Sequence, residues 1–328
     1  MKKISVFILT VFFLLISCSV LYAKEDSIKL IQKAYRDGEL DYQTALNYKL
    51  YAIFSRNRNK LPRVYQSDDV PVKSATSVIL EARENPHLLF SDNRFILYRP
   101  TDSGDSDYYG SGIAVLTYDS PGGNFKIHYT EDNTNSDAVY GFDGNPATVP
   151  QYVIDLASYL DNSWTQVITS MGYVAPPSDG VAGGDSRLDV YLVNMNAYGY
   201  TAYEGGGVTY IVIENDFTGF PSNLDPDGSQ KGAMKVTVVH EFFHTSQLQY
   251  TINTSNLWWM EATSTWMEDV IYSSVKDYLN YLGRKYDDAN DNGTWDTGEA
   301  YYMIDGVTPL GTTGRSSGWF DHPEYSLE

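Results

Sequence analysis

In the stretch "VVHEFFHTSQLQY", Val238 to Tyr250, His240 and His244 stand four residues apart with Glu241 beside the first of them. On a helix the two imidazoles face the same way, one turn apart. So placed, they can hold two corners of a tetrahedral zinc. Glu241 lies on the rim of that face. There it can reach a water on the metal without ligating the metal, which suits it to act as general base. Val238, Val239, Phe242 and Phe243 are apolar and would shield the site and anchor the helix. With only five histidines in the chain, a chance occurrence of this pattern is improbable. The alternative is a pair of satisfied histidines on a structural helix.

A catalytic zinc needs a third protein ligand and one open position. The extended pattern H-E-x-x-H-x-x-G-x-x-H requires glycine at 247 and histidine at 250, where this chain has Gln247 and Tyr250, so that branch is excluded. Downstream, "NLWWMEATSTWMEDVIYSSVKDYLNYL" has helical periodicity from Trp259 through about Leu282. Glu261 lies on it, with sixteen residues between it and His244. A carboxylate on a second helix packed against the first completes a His, His, Glu set. Glu268 lies two turns further along the same face; it could orient a ligand histidine from behind or be the ligand itself. Asp269 is a weaker candidate. Trp258 and Trp259 read as core.

These side chains need elements to carry them. "NFKIHY", "RLDVYLVNM" and "VTYIVIEND" read as strands. "TVPQYVIDLASYLDNSWTQVITSMGY" has helical spacing through Val153, Leu156, Ala157, Leu160, Trp164 and Ile168, and Gly172 ends it. "GAMKVTVVHEFFHTSQLQY" is the helix that bears the histidines. The order strand, helix, strand, strand, helix predicts an α+β domain over residues 124–285. Strand "TYIVIEN" could offer the edge on which an extended peptide pairs. Upstream, 24–66 reads as helical, with Asp26 and Asp41 as N-caps and Gly38 as the break, either a propeptide or an N-terminal helical subdomain. Residues 67–123 read as a linker and β-rich region.

Beyond the second helix, "DDANDNGTWDTGEAYYMIDG" fits an EF-hand-like calcium loop within 286–305. Asp288, Asn290, Asn292 and Asp296 offer side-chain oxygens, Thr294 its carbonyl, Gly293 the sharp turn and Glu299 the closing bidentate carboxylate. A polar Asp/Asn/Gly turn is the alternative. Peptide hydrolysis also needs a donor for the tetrahedral oxyanion. In the C-terminal part, 306–328, "FDHPEYSLE" offers His322 and Tyr325 for that role.

The first 23 residues, "MKKISVFILTVFFLLISCSVLYA", read as an export signal: two lysines precede an apolar run too short to span a bilayer comfortably. Cleavage after "LYA" or at the lipobox-like "LISC", residues 15–18, are both open; the second would lipidate Cys18 and give the only membrane attachment expected. Cys18 is the only cysteine, so the mature chain forms no internal disulfide. Lys and Arg total 23 against 42 Asp and Glu, a formal charge of −19. That disfavours nucleic acid and anionic membrane as partners and suits an exported protein that binds cations.

"HEFFH" followed by "WWMEATSTWMED" is similar to the gluzincin arrangement. More narrowly, the chain resembles a bacterial family of secreted metalloproteases named after a myxobacterial member. "DGELDYQTALNYKLYAIF", "KIHYTED" with "SDAV", "VPQYVIDLASYLDNSW", "MGYVAPPSDGVAGGDSRLDVYLVNM" and "YIVIENDF" match that family's pattern in order, over most of residues 30–285. The resemblance implies a zincin-like fold: a mixed sheet over an active-site helix, then a second ligand-bearing helix. It also implies peptidase activity on a protein or peptide substrate. In better-known gluzincins an acidic residue four positions after the ligand glutamate supports a histidine; here that position is Thr265, which makes Glu268 the substitute. The expected activity is zinc-dependent peptide hydrolysis, with calcium as a structural ion. A non-catalytic, calcium-stabilised surface or binding protein is the alternative, and hydrolysis of a non-peptide bond is a third.

Overall fold

A computed structural model describes residues 26–67, 71–102 and 108–281, and the backbone of 285–286, 301–302 and 309–311. The export signal with Cys18, the proposed calcium ligands Asp288, Asn290, Asn292, Thr294, Asp296 and Glu299, and His322 and Tyr325 lie outside the described residues.

Two helices open the chain, α1 (Ser27–Arg36) and α2 (Tyr42–Ile53). Asp26 and Asp41 cap them, accepting from the backbone N–H of Lys29 at 3.0 Å and of Thr44 at 2.8 Å. Gly38 turns between them at φ 78°. Next come α3 (Thr76–Glu84), β1 (Leu116–Asp119), β2 (Phe125–Tyr129), α4 (Gln151–Trp164) and β3 (Leu188–Val193). The hairpin β4 (Gly199–Gly205) and β5 (Val208–Glu214) then leads to the long helix α5 (Ser229–Gln247) and to α6 (Leu257–Ile271). Short strands β6 (Lys285–Tyr286), β7 (Tyr301–Tyr302) and β8 (Pro309–Gly311) pair in that order as a separate small sheet. No helix among the described residues is long and apolar enough to cross a membrane.

The main sheet runs β1-β2-β3-β5-β4. β2, β3 and β5 are parallel neighbours; β1 and β4 run antiparallel on the two edges. Alternation along each strand sends successive side chains to opposite faces. On one face Phe125, Ile127, Val190, Leu192, Ile211 and Ile213 meet Val153, Leu156 and Leu160 of α4 and Val238, Val239 and Phe242 of α5. On the other, Tyr191, Val193, Tyr200, Tyr210 and Val212 meet Leu46, Leu50, Ile53 and Phe54 of α2 and its end, and Val78 and Ile79 of α3. The molecule is therefore α+β with helices on both faces of a mixed sheet. Coverage of both faces explains why β3 is buried along its whole length.

Several expectations are corrected. Residues 67–123, read as linker and β-rich, contain helix α3 and the single strand β1 among the described residues. The histidine helix is correct, but its partner ends at Ile271 rather than near Leu282, and Lys276 follows at φ 52°. Lys285–Tyr286 is a strand, so no helix leads directly into the calcium-loop sequence. Strand β5 is interior, not an edge; the edge is β4, which the sequence reading passed over. The N-terminal helices are a layer of the same core. Four buried apolar side chains on that layer, Leu46, Leu50, Ile53 and Phe54, contribute roughly 6–12 kcal/mol together. That is comparable with the whole stability of a typical domain.

Candidate metal centre

Helix α5 runs through the core, buried from Gly232 to Ser246. It is buried nearly all round because it packs at once on the sheet, on α4 and on α6. His240, Glu241 and His244 sit in its last two turns, at most 2 % exposed. α6 crosses beside it and brings Glu261 to the imidazoles. Glu261 Oε2 lies 3.0 Å from His240 Nε2 and 3.6 Å from His244 Nε2. The three ligand atoms lie within 4.8 Å of one another.

These separations fit one small ion. Bonds of about 2.0–2.1 Å in a tetrahedron set ligand atoms about 3.3 Å apart. The hydrogen-bond inventory agrees. His244 Nε2 and Glu241 Oε1 are buried without a hydrogen-bond partner, and such groups are costly unless something else satisfies them. The other ring nitrogens are held from behind. His240 Nδ1 is 2.7 Å from Glu268 Oε1, and His244 Nδ1 is 2.7 Å from Gln247 Oε1. Both oxygens only accept, so both Nδ1 atoms carry a proton, and Nε2 is the nitrogen that each ring turns toward Glu261. The Gln247 amide is itself oriented, donating to Met260 O at 3.0 Å and to Thr263 Oγ1 at 2.8 Å.

The site favours a cation. Burial alone would lower His240, but hydrogen bonds to Glu261 and Glu268 outweigh it and push it up to about 10. Burial alone would raise Glu261, but the His244 and His240 imidazoles hold it well below the usual carboxylate range. The two shifts are two sides of one attraction: the carboxylates Glu261, Glu268 and Glu241 around His240 raise it, and the imidazoles lower Glu261.

Glu241 is held at one oxygen. Thr76 Oγ1 donates to Glu241 Oε2 at 2.7 Å while accepting from Thr201 N at 2.8 Å. Thr201 Oγ1 is 3.0 Å from the same Oε2. Oε1 is left without a hydrogen-bond partner. The edge strand can come this close because of Gly199: a Cβ there would sit 3.1 Å from Glu241 Cγ and 2.8 Å from Val212 O.

The structure thus brings together His240, Glu241, His244 and Glu261, and sets Glu268 behind His240 rather than among the ligand atoms. Asp269 pairs instead with Lys276 at 2.5 Å. Trp258 and Trp259, read as core, are 53 % and 55 % exposed, because α6 turns that face outward. Sequence reasoning missed Thr76, Thr201 and Gln247, and Ser264, whose Oγ is 3.2 Å from His244 Nδ1. It also missed Lys73, whose Nζ is 3.1 Å from Glu268 Oε2 and 2.7 Å from Asp277 Oδ2. Only Gln247 carried a signal, since it follows His244 by one helical turn. A cavity of about 420 Å³ lined by Arg56, Asn57, Tyr108, Asp137 and Asn194 shares no residue with this centre. Compared with protein-family models, with curated proteins and with solved structures, the chain has no match, so the family resemblance rests on the residues themselves.

Proposed function

We propose that the chain is an exported zinc-dependent metallopeptidase of zincin-like fold, hydrolysing peptide bonds with Glu241 as general base. The observation that carries this reading is the coincidence of three ligand atoms within 4.8 Å with two orphaned buried atoms, His244 Nε2 and Glu241 Oε1. His240, His244 and Glu261 would hold the ion. Zinc, when bound, would supply Lewis acidity to a scissile carbonyl and lower the pKa of a water toward neutrality. Glu241 Oε1 then takes a proton from the attacking water and passes it to the leaving amine. Oε2, fixed by Thr76 and Thr201, keeps the carboxylate aimed. Glu268 and Gln247 hold the tautomers of the two histidines throughout. A purely structural site has no use for Glu241 Oε1.

The test is metal analysis with casein hydrolysis for wild type and Glu241→Gln. Zinc is expected in both proteins and hydrolysis only in the first. Equal rates in the two would overturn the assignment of the base; zinc bound with no hydrolysis in any form would favour the non-catalytic reading.

A further inference from the structure

We propose a second ligand site, away from the metal centre: the cavity of about 420 Å³ lined by Arg56 and Asp137 takes a small zwitterion, a free amino acid or a dipeptide. It shares no residue with the metal ligands and does not depend on the peptidase reading.

Three observations combine. First, two opposite charges line one cavity without meeting. Among the described residues no ion pair joins them, and each keeps unused hydrogen-bonding capacity. Arg56 Nη1 donates to Tyr108 O at 3.1 Å, and the guanidinium lies 5.2 Å from the centre of the Phe95 ring and 5.0 Å from that of Tyr108. Its other N–H groups have no acceptor among the described residues. Asp137 is only 5 % exposed. Its Oδ1 accepts from Asn194 N–H at 2.9 Å, while Oδ2 has no donor among the described residues. Burial pushes this carboxyl up to about 6, against the pull of the Asn194 N–H and the Arg56 charge. Second, the loop bearing Asp137 is fixed in advance. Ser136 sits at φ 66°, a conformation that a residue with a side chain holds only under constraint. Asn194 Nδ2 donates to Ser136 O at 3.0 Å, and Asn215 Nδ2 reaches Ser136 O at 3.1 Å and Ala138 O at 2.7 Å. Third, the place is right. Ala138 bridges Thr130, the first residue past β2, and Asn194 is the first past β3. The cavity thus lies at the carboxyl ends of two parallel neighbours, where such sheets bind ligands.

The pair of charges selects the ligand. Arg56 repels a metal ion and Asp137 repels a phosphate, whereas a zwitterion satisfies both. Its carboxylate matches the planar guanidinium fork, and its ammonium can donate to Asp137 Oδ2. The amides that also line the cavity are committed elsewhere: Asn57, Asn135 and Asn194 donate to the main-chain oxygens of Asp92, Tyr109 and Ser136. Recognition therefore falls to the two charged groups. The volume is at the lower end of the roughly 300–1,000 Å³ of small-molecule sites, which suits one or two residues rather than a longer peptide.

Calorimetric titration of the full-length protein tests this with L-alanine and L-alanyl-L-alanine, with their N-acetylated forms, which keep only the carboxylate, and with their amides, which keep only the ammonium. D-Glucose serves as the neutral polar control. One of the two zwitterions should bind about 10-fold or more tightly than both of its capped forms; which of the two it is tells amino acid from dipeptide. Arg56→Gln should abolish the preference for a free carboxylate. Asp137→Asn, whose Oδ1 can still accept from Asn194, should abolish the preference for a free ammonium. Each should weaken the zwitterion about 10-fold. If Asp137→Asn does not fold, the loss of affinity on N-acetylation reads the same contact in wild type, and Arg56→Gln, at an exposed position, localises the binding. No binding of either zwitterion, binding no tighter than that of the capped forms, affinity unchanged by both variants, or glucose bound in their place overturns the proposal.

Discussion

Thr201 on the edge strand reaches Glu241 on the central helix twice, with its Oγ1 2.7 Å from the main-chain oxygen and 3.0 Å from Oε2. One hydroxyl therefore ties the carboxylate to the strand along which a substrate would lie. Thr201→Val keeps the shape and removes the hydrogen bond. Glu241 Oε2 is then held by Thr76 alone, and kcat should fall about 10-fold, the worth of one hydrogen bond to a charged group. KM and zinc content should be unchanged. Loss of zinc in parallel with kcat would mean that Thr201 supports the helix rather than the base.

Glu268 fixes the His240 tautomer through its 2.7 Å contact to Nδ1. Glu268→Gln should weaken zinc binding by roughly 10- to 100-fold, the usual effect of losing such a partner. Glu261→Ala, which removes a ligand outright, should weaken it further. Competition with a chromophoric chelator ranks the two. The reverse order would make Glu268 the ligand and Glu261 the supporting group.

The metal-ligand pattern was legible because helical spacing turns sequence positions into geometry: His240, His244 and the i+7 relation of Glu261 to Glu268 need only a regular helix. The caps Asp26 and Asp41 and the break at Gly38 were legible for the same local reason. Strand β4 was not. "GYTAYEG" alternates weakly, and its role as the edge comes from pairing with β5 across the turn Gly205–Gly207. Thr76 was beyond reach of local reasoning, since it meets Glu241 across 165 residues of sequence. Lys73 likewise reads as a solvated lysine until the fold buries it between Glu268 and Asp277.

The N-terminal helices belong to the core, and this has a measurable consequence. Leu50 of α2 is fully buried against the underside of the sheet. Leu50→Ala should destabilise the protein by about 2–5 kcal/mol, as buried leucine truncations do. Denaturant unfolding followed by tryptophan fluorescence would report it. A change below about 1 kcal/mol would mean that the helical layer is dispensable to the sheet, as a detachable propeptide requires.

Glu214, at the end of β5, should make stability depend on pH in an unusual direction. It is buried, and its Oε2 accepts from the backbone N–H groups of Asp216 and Phe217. Burial outweighs those donors, and the nearby Asp216 carboxylate adds to it, so the carboxyl is pushed up from 4.5 to about 8. The unfolded chain releases this proton near 4.5, whereas the folded chain keeps it to about 8. Between these values the folded state binds the extra proton, so its stabilising contribution is fully present below 4.5 and is lost as pH rises through 8. The full change is roughly 3–5 kcal/mol. Glu214→Gln retains an oxygen that can accept from both N–H groups but cannot ionise, so its stability should lack this component. The readout is the difference between wild-type and variant unfolding free energies across pH 5–9, which cancels every other titrating group. A flat difference would show that Glu214 is ionised in the folded protein across the whole range.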